Sequence, residues 1–272
     1  MLTNRNTLKE LIMTKALQDI AKLLADADKN ANIVAPPSAS CGGLEIQDGY
    51  AIQMLNAKNR VEQGERIIGK KIAFGTPAAQ KANGLTSPAF GQIFSHHHLA
   101  EGQPISTSTL NAPKLEAEIL FVMGEDLQGP GITAIDVLRA TEYLMPSFEL
   151  VSGRIDPNGR TTADAIADNV GIGKLITGSV LVPALGLDLK QISLVLEKNG
   201  AVVSSSSSSL VMGSPVNAVV WLVNALAEYG MPLQRGEVVL TGTVCPIQEI
   251  AAGDVFTAHF SELGSVTVGF TE

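Results

Sequence analysis

Between residues 7 and 28 the apolar side chains Leu8, Leu11, Ile12, Ala16, Ile20, Leu23 and Leu24 recur at spacings of three and four, the period of a helix with one apolar stripe. The spacing predicts an amphipathic helix over that stretch. From Asn30 to Gly43 the period is lost, and Pro36-Pro37, several serines and Gly42-Gly43 predict an exposed loop. A second helix is expected over residues 47–63, ending near Gly64. Beyond it the texture changes to short apolar runs bounded by Gly, Pro and Asn. Ile67-Ile68, Ile119 to Met123, Val195-Leu196, Val238 to Leu240 and Val266 to Val268 read as strands. Helix returns at residues 134–143 and 215–229, the second with Pro215 at its start and Gly230 just past its end, an asymmetry that suits helix termini. Asn199-Gly200 between two apolar runs is a type I′ turn signal and predicts a hairpin over residues 190–205. The fold class is therefore α+β, a helical N-terminal region over residues 1–65 followed by a β-rich core over residues 66–272.

Composition narrows the function classes. At 272 residues, 45% hydrophobic and 17% charged, the chain is too apolar for disorder and long enough to bury a substantial core. No apolar run approaches the roughly 18 residues that a membrane helix needs, so no membrane partner is expected. Nineteen Lys and Arg against 27 Asp and Glu give a net charge of −8, which argues against a nucleic-acid partner. A small anionic substrate stays open, because a local cation overrides a chain-wide negative charge. The two cysteines, Cys41 and Cys245, are too few and too far apart for a disulfide scaffold or a CxxC pair. The N-terminal residues are polar and lack a signal peptide's apolar region, so a cytoplasmic location with reduced thiols is expected.

Candidate chemistry concentrates in acids. Glu116 and Glu118 sit two apart at the head of an apolar strand, so both side chains point to one face. Such a pair is either a solvated edge or, turned inward, a demand for a hard cation such as Mg²⁺ or Mn²⁺. Glu149, inside the apolar run Met145 to Val151, is a third acid that is costly to bury unpaired. Three carboxylates from two strands would leave about three of six octahedral positions to water or substrate. Lys71 follows Lys70 at a strand start, suited either to solvent or to a fixed positive charge facing a substrate carboxylate. Asp168, before Asn169, is a turn former or a catalytic acid. Arg154 suits bidentate pairing with a substrate carboxylate or with a neighbouring acid. Ser204 to Ser209 offer hydroxyls to an anionic substrate or to loop backbone, which makes Ser204 and Ser205 candidate substrate contacts alongside Phe90. His96, His97 and His98 are consecutive, and consecutive side chains diverge too much for one ion to take all three. Cys245 has no nucleophile pattern around it and reads as a buried, inert thiol. Trp221 reads as core or subunit contact.

The segments Asp48 to Gln53, Gly69-Lys70-Lys71-Ile72, Pro88 to Gly91, Glu116 to Ile119, Phe148 to Ile155, Ala167-Asp168-Asn169, Leu187-Asp188-Leu189, Gly213-Ser214-Pro215 and Ala252-Gly253-Asp254, in that order, resemble the fumarylacetoacetate hydrolase superfamily. Specifically, they resemble its branch of 2-hydroxypentadienoate (2-keto-4-pentenoate) hydratases and 4-oxalocrotonate decarboxylases, over nearly the whole chain. The resemblance implies a fumarylacetoacetate-hydrolase-like mixed β-roll core, a site for Mg²⁺ or Mn²⁺ at Glu116, Glu118 and Glu149, and Lys71 beside it. It implies a short 2-oxo or 2-hydroxydienoic acid from aromatic-ring meta-cleavage as substrate, with its 2-oxo acid end on the metal. Hydration of the dienoate is the first expectation. Decarboxylation of 4-oxalocrotonate is the second, C–C bond hydrolysis of an acylpyruvate a third within the superfamily, and a catalytically impaired 2-oxo-acid binder or partner subunit the reading from a different class. A homo-oligomer, and a partner among pathway enzymes, are also implied. Two departures bear on activity. Ala89 stands where the family carries an acid before the aromatic, and one of His96 to His98 is a candidate replacement, with an imidazole pKa near neutrality. The lysine strand continues Ala73-Phe74-Gly75-Thr76-Pro77 where the family has Gly-Leu-Thr-Ser.

Overall fold

The computed structural model describes residues 14–272. Leu8, Leu11 and Ile12 of the first predicted stripe lie outside the described residues. In chain order the elements are α1 (Lys15–Lys29), α2 (Pro37–Cys41), α3 (Ile46–Glu62), β1 (Ile67–Ala73), α4 (Pro77–Ala82), β2 (Ala89–Phe94), β3 (His98–Ala100), β4 (Ile105–Ser106), β5 (Lys114–Met123), α5 (Ala134–Ala140) and β6 (Thr141–Val151). They continue with α6 (Thr162–Ala167), β7 (Ile172–Thr177), β8 (Val182–Pro183), β9 (Ser193–Lys198), β10 (Ala201–Ser207), α7 (Pro215–Ala227), β11 (Val238–Leu240), β12 (Gln248–Glu249), β13 (Val255–Phe260) and β14 (Gly264–Thr271). The α+β expectation holds.

Local chemistry explains the helices. Thr14 caps α1 by accepting from the Leu17 N–H, and the stripe Leu17, Ile20, Ala21 and Leu24 is buried against Ile52 of α3 and against Ile155 and Ala167. The expected exposed loop contains a short helix instead. Pro37 opens α2 at a position where its missing N–H has no helical partner to lose, and Ser38 is buried through N–H and hydroxyl bonds to the Asp164 carboxylate. The helix expected over 134–143 stops at Ala140. Thr141, Glu142 and Tyr143 begin β6, where the pairing of Tyr143 with Val122 and of Thr141 with Met123 overrides helical continuation.

The predicted hairpin is present as β9 and β10. Asn199 and Gly200 both take the left-handed backbone, at φ 54° and 78°, as a type I′ turn requires. One stretch, Ser208–Ala227, is long and apolar enough to cross a membrane by length and composition alone, a run longer than the sequence reading allowed. Within it the helix α7 begins only at Pro215, and Val216, Ala218, Val219, Leu222, Val223 and Leu226 are buried in the core.

Among the described residues the strands form two sheets. A nine-stranded mixed sheet runs β2-β1-β11-β5-β6-β7-β3, with β12 added on β5 and β8 on β6. A five-stranded sheet runs β10-β9-β13-β14-β4. Between them lies the main core, where Leu115, Ala117, Ile119 and Phe121 of β5 and Phe148 and Leu150 of β6 meet Leu194, Leu196, Phe256, Ala258, Val266 and Val268. The opposite face of β5 and β6 points into the curl of the large sheet. Its floor is a separate apolar cluster of Ile93, Leu120, Ile172, Leu175 and Leu240, and the acids stand on that face.

Candidate metal centre

Strand alternation builds the site. With Leu115, Ala117 and Ile119 committed to the main core, Glu116 and Glu118 turn to the inner face of the curl. In the antiparallel register Glu116 pairs with Glu149, and Glu118 with Ser147. One oxygen from each of Glu116, Glu118 and Glu149 lies within 4.8 Å of the others. Lys71 enters from β1, two strands removed from β5, yet the curl brings its Nζ into a salt bridge with the Glu149 Oε1. That Nζ also donates to the Val170 carbonyl at 3.1 Å. The Gly242 N–H, just past β11, donates to the Glu118 Oε2 at 2.7 Å.

This cluster carries more negative charge than its partners neutralise. Glu118, Glu149 and Lys71 are buried, and Glu116 is partly open. Burial first, then the charge of Glu149, pushes the Glu116 carboxyl up to about 7. Burial and the two neighbouring carboxylates hold Glu118 well above the usual range, and burial raises Glu149 despite Lys71. The Glu118 Oε1 and the Glu149 Oε2 are buried without a hydrogen-bond partner. Two orphaned carboxylate oxygens beside a third acid, with one ammonium among them, fit a hard divalent cation such as Mg²⁺ or Mn²⁺, which takes oxygen donors and removes the repulsion.

The other sequence candidates divide into those near this cluster and those elsewhere. Arg154 and Asp168 pair with each other: the Arg154 Nε donates to the Asp168 Oδ1 at 2.7 Å, and the Arg154 backbone N–H to the Asp168 Oδ2 at 2.7 Å. The guanidinium is completed by the Ser152, Ile172 and Asp168 carbonyls at 3.1, 2.7 and 2.6 Å. Neither is joined to the three glutamates; the neighbouring-acid alternative describes Arg154. Phe90 is a core aromatic, its ring 4.6 Å from that of Tyr50 and 5.6 Å from that of Tyr229. Ser204 shares a strand face with Ser206, whose hydroxyl donates to the Val244 carbonyl in the loop that reaches Glu118. Ser205 alternates to the opposite face and is exposed.

The histidines diverge as their adjacency dictates. The His96 Nδ1 lies 2.7 Å from the Glu65 carboxylate, the His97 Nδ1 accepts from the Phe94 N–H at 3.0 Å, and the His98 Nε2 lies 3.0 Å from the Thr177 hydroxyl. None joins the acid cluster, so the replacement for a missing acid expected among them is not found there. Ala89 pairs with Ala73 in the β1–β2 register, as Gly91 does with Lys71. The strand face beside Lys71 is therefore methyl and glycine. Cys245 is buried, and burial pushes its thiol up, in line with an inert sulfur. Two groups in contact with the cluster escaped the sequence, the Val170 carbonyl and the Gly242 N–H. Both are backbone atoms; for Gly242 the only signal was a glycine two residues after a strand run.

Comparison with known proteins places the fold and the family. A profile of the fumarylacetoacetate (FAA) hydrolase C-terminal family matches residues 56–271. The chain is 36% identical over 259 residues to the TodF product hydratase of Pseudomonas putida, covering 95% of this chain and 97% of that one. It is 34% identical over 253 residues to a 2-keto-4-pentenoate hydratase of Paraburkholderia xenovorans, covering 93% and 94%. Among solved structures, 4-oxalocrotonate decarboxylase from Pseudomonas putida, complexed with magnesium and adipate, superposes with a TM-score of 0.90 at 28% identity, covering 93% of this chain and 97% of that one.

Proposed function

The chain belongs to the fumarylacetoacetate hydrolase family, and from that premise we propose that it is a divalent-metal-dependent hydratase of a short 2-hydroxy-2,4-dienoate from aromatic-ring meta-cleavage. The observation that carries this reading is the interior triad Glu116, Glu118 and Glu149 with its two orphaned oxygens. Mg²⁺ or Mn²⁺, held by these three carboxylates, would supply Lewis acidity to a bound 2-oxo acid. The chain's own groups do the rest. Lys71, with two of its three N–H groups on Glu149 and Val170, aims a fixed positive charge into the site, where a low-polarity surround magnifies it. Gly242 holds Glu118 to one orientation. The apolar floor of Ile93, Leu120 and Leu240 closes the curl to water from below. In this reading residues 66–272 carry the chemistry, residues 14–65 brace it, and the protein works as a cytoplasmic homo-oligomer, which light scattering and cell fractionation would check.

The test is the absorbance decay of 2-hydroxypenta-2,4-dienoate with Mg²⁺ or Mn²⁺, for wild type and Glu116→Ala. Metal-dependent decay that the substitution abolishes is expected; decay that is indifferent to metal or to Glu116 would remove the hydratase reading. One observation favours a second reading. On the β2 side of Lys71 the strand face carries Ala73, Ala89 and Gly91, and on the β11 side Leu240. Among the described residues, these strand neighbours therefore add no side-chain acid beyond the three glutamates to move a proton to or from water. Decarboxylation of 4-oxalocrotonate requires no water addition, and CO₂ release from that substrate would move the assignment to it.

A further inference from the structure

Three consecutive residues, Asn169, Val170 and Gly171, hold left-handed backbone at φ 52°, 52° and 69°. L residues avoid this region, and β-branched ones most of all. The Val170 side chain is buried, so it cannot relax into solvent. Strain of this kind persists only where its surroundings over-determine it, and here they do. Arg154 spans both ends of the segment, donating to the carbonyl of Asp168 before it and of Ile172 after it. The Asn169 side chain grips β2 as a peptide group would: its Oδ1 accepts from the Gln92 N–H at 2.7 Å, and its Nδ2 donates to the Gln92 carbonyl at 2.8 Å. Gly91 lets it lie that close, since a Cβ there would stand 2.8 Å from the Asn169 carbonyl oxygen. The Ser152 N–H holds the Gly171 carbonyl at 2.7 Å. What all this holding aims is the one carbonyl at the apex, that of Val170, at the Lys71 Nζ.

We propose that residues 169–171 form a positioning strap, pinned by Asn169 and clamped by Arg154, whose Val170 carbonyl fixes the Lys71 ammonium against Glu149. The inference rests on reading Lys71 and the acids as the reacting site. It gives Arg154 and Asp168 a part in that site: they touch no substrate, and act on Lys71 through the strap. The third Lys71 N–H is thereby left pointing in one direction, toward whatever acid is bound.

Two substitutions displace the strap from different sides and leave Lys71 and the glutamates unsubstituted. Asn169 makes no bond to Lys71, whereas Gly91 pairs with Lys71 across β1 and β2, so Asn169→Ala decides where the two disagree. Asn169→Ala removes both bonds to Gln92, and Gly91→Ala wedges a methyl under the Asn169 carbonyl. The readouts are Mn²⁺ binding, kcat and KM for the dienoate, and amine labelling of Lys71 relative to Lys70, resolved by fragment mass spectrometry. Lys70 is an internal control, buried one residue away on the same strand and paired with Glu237. Both variants are expected to bind Mn²⁺ as wild type does and to lose about 100-fold in kcat with KM nearly unchanged, as misplacement of one group by about 1 Å can cost. Lys71 labelling is expected to rise at least about 10-fold over Lys70, on the same loss of fixed geometry. Wild-type labelling ratios in both variants would overturn the proposal. So would a parallel rise at Lys70 with loss of Mn²⁺, which marks a merely structural role. If the wild type consumes no dienoate, the functional reading fails by itself, and the labelling ratio still decides the strap.

Discussion

Two ionic clusters, one half-buried around a buried Arg154–Asp168 pair and one buried, lie on either side of the Asn169–Gly171 strap, and they differ in how their charge is settled. On one side Asp28, Glu65 and Asp168 share the guanidiniums of Arg60 and Arg154 and the His96 ring. Arg60 bridges Asp28 and Glu65, and those guanidiniums hold the Asp28 carboxyl below its ordinary range against the cost of burial, while burial still raises Asp168 against its pairing with Arg154. On the other side Glu116, Glu118 and Glu149 share, among the described residues, Lys71 alone, and all three carboxyls are pushed up. Buried charge that finds its partners within the chain is scaffold. Buried charge left over is a site, because a fold bears that cost only where something else neutralises it.

Removing one acid on each side separates the two. Glu118→Gln, the larger effect, is expected to cut Mn²⁺ affinity by at least about 100-fold, since loss of a group merely supporting a ligand already costs up to that much. Turnover should fall with it, while the metal-free fold melts no lower than wild type. Asp168→Asn is expected to do the reverse, keeping Mn²⁺ affinity and losing about 3 kcal/mol of stability in denaturant titration, because Arg154 is left buried beside a neutral partner. If Asp168→Asn abolishes metal binding or Glu118→Gln unfolds the chain, the division between scaffold and site is wrong.

Acidity gives a third, smaller contrast. Each glutamate of the triad has a folded-state pKa above its unfolded value, Glu116 at about 7. Such a group contributes stability that is fully present below the unfolded pKa and is lost as the pH rises through the folded one. Metal-free protein should therefore melt lower at about pH 8 than at about pH 5, and Mn²⁺ should restore most at the upper end. A thermal scan at both values, with and without metal, checks this; a metal-free Tm that climbs over that range contradicts it. The smallest effect belongs to the surface. Asp19→Asn breaks the exposed Lys15–Asp19 pair of α1 and should move Tm by less than about 2 °C.

Much of this division was legible in the sequence where side-chain periodicity decides it. Glu116 and Glu118, two apart in an apolar strand, had to share a face, and Glu149 had no solvent to turn to in its own run. Asn199-Gly200 named its turn because few residues accept left-handed backbone at both positions. The signals failed where tertiary pairing decides. Thr141 to Tyr143 follow a helix without a break and become strand only because β5 lies beside them. Arg154 offered two partners of equal chemistry, and the sequence could not choose between a substrate and Asp168. Pro36-Pro37 read as the breaker of a helix and turned out to open one. The Val170 carbonyl carries no residue signature, since every residue has one, and the Gly242 N–H carries only that of a glycine shortly after a strand run.

The leftover charge of Glu116, Glu118 and Glu149 is a cation site only if the folded chain takes up a cation there. Equilibrium dialysis of Mn²⁺ against wild type and Glu118→Gln, read by electron paramagnetic resonance of the free ion, measures it directly. A single ion held per wild-type chain and none by the variant is the predicted result. A wild type that leaves the ion free, or a variant that holds it equally well, would contradict the account.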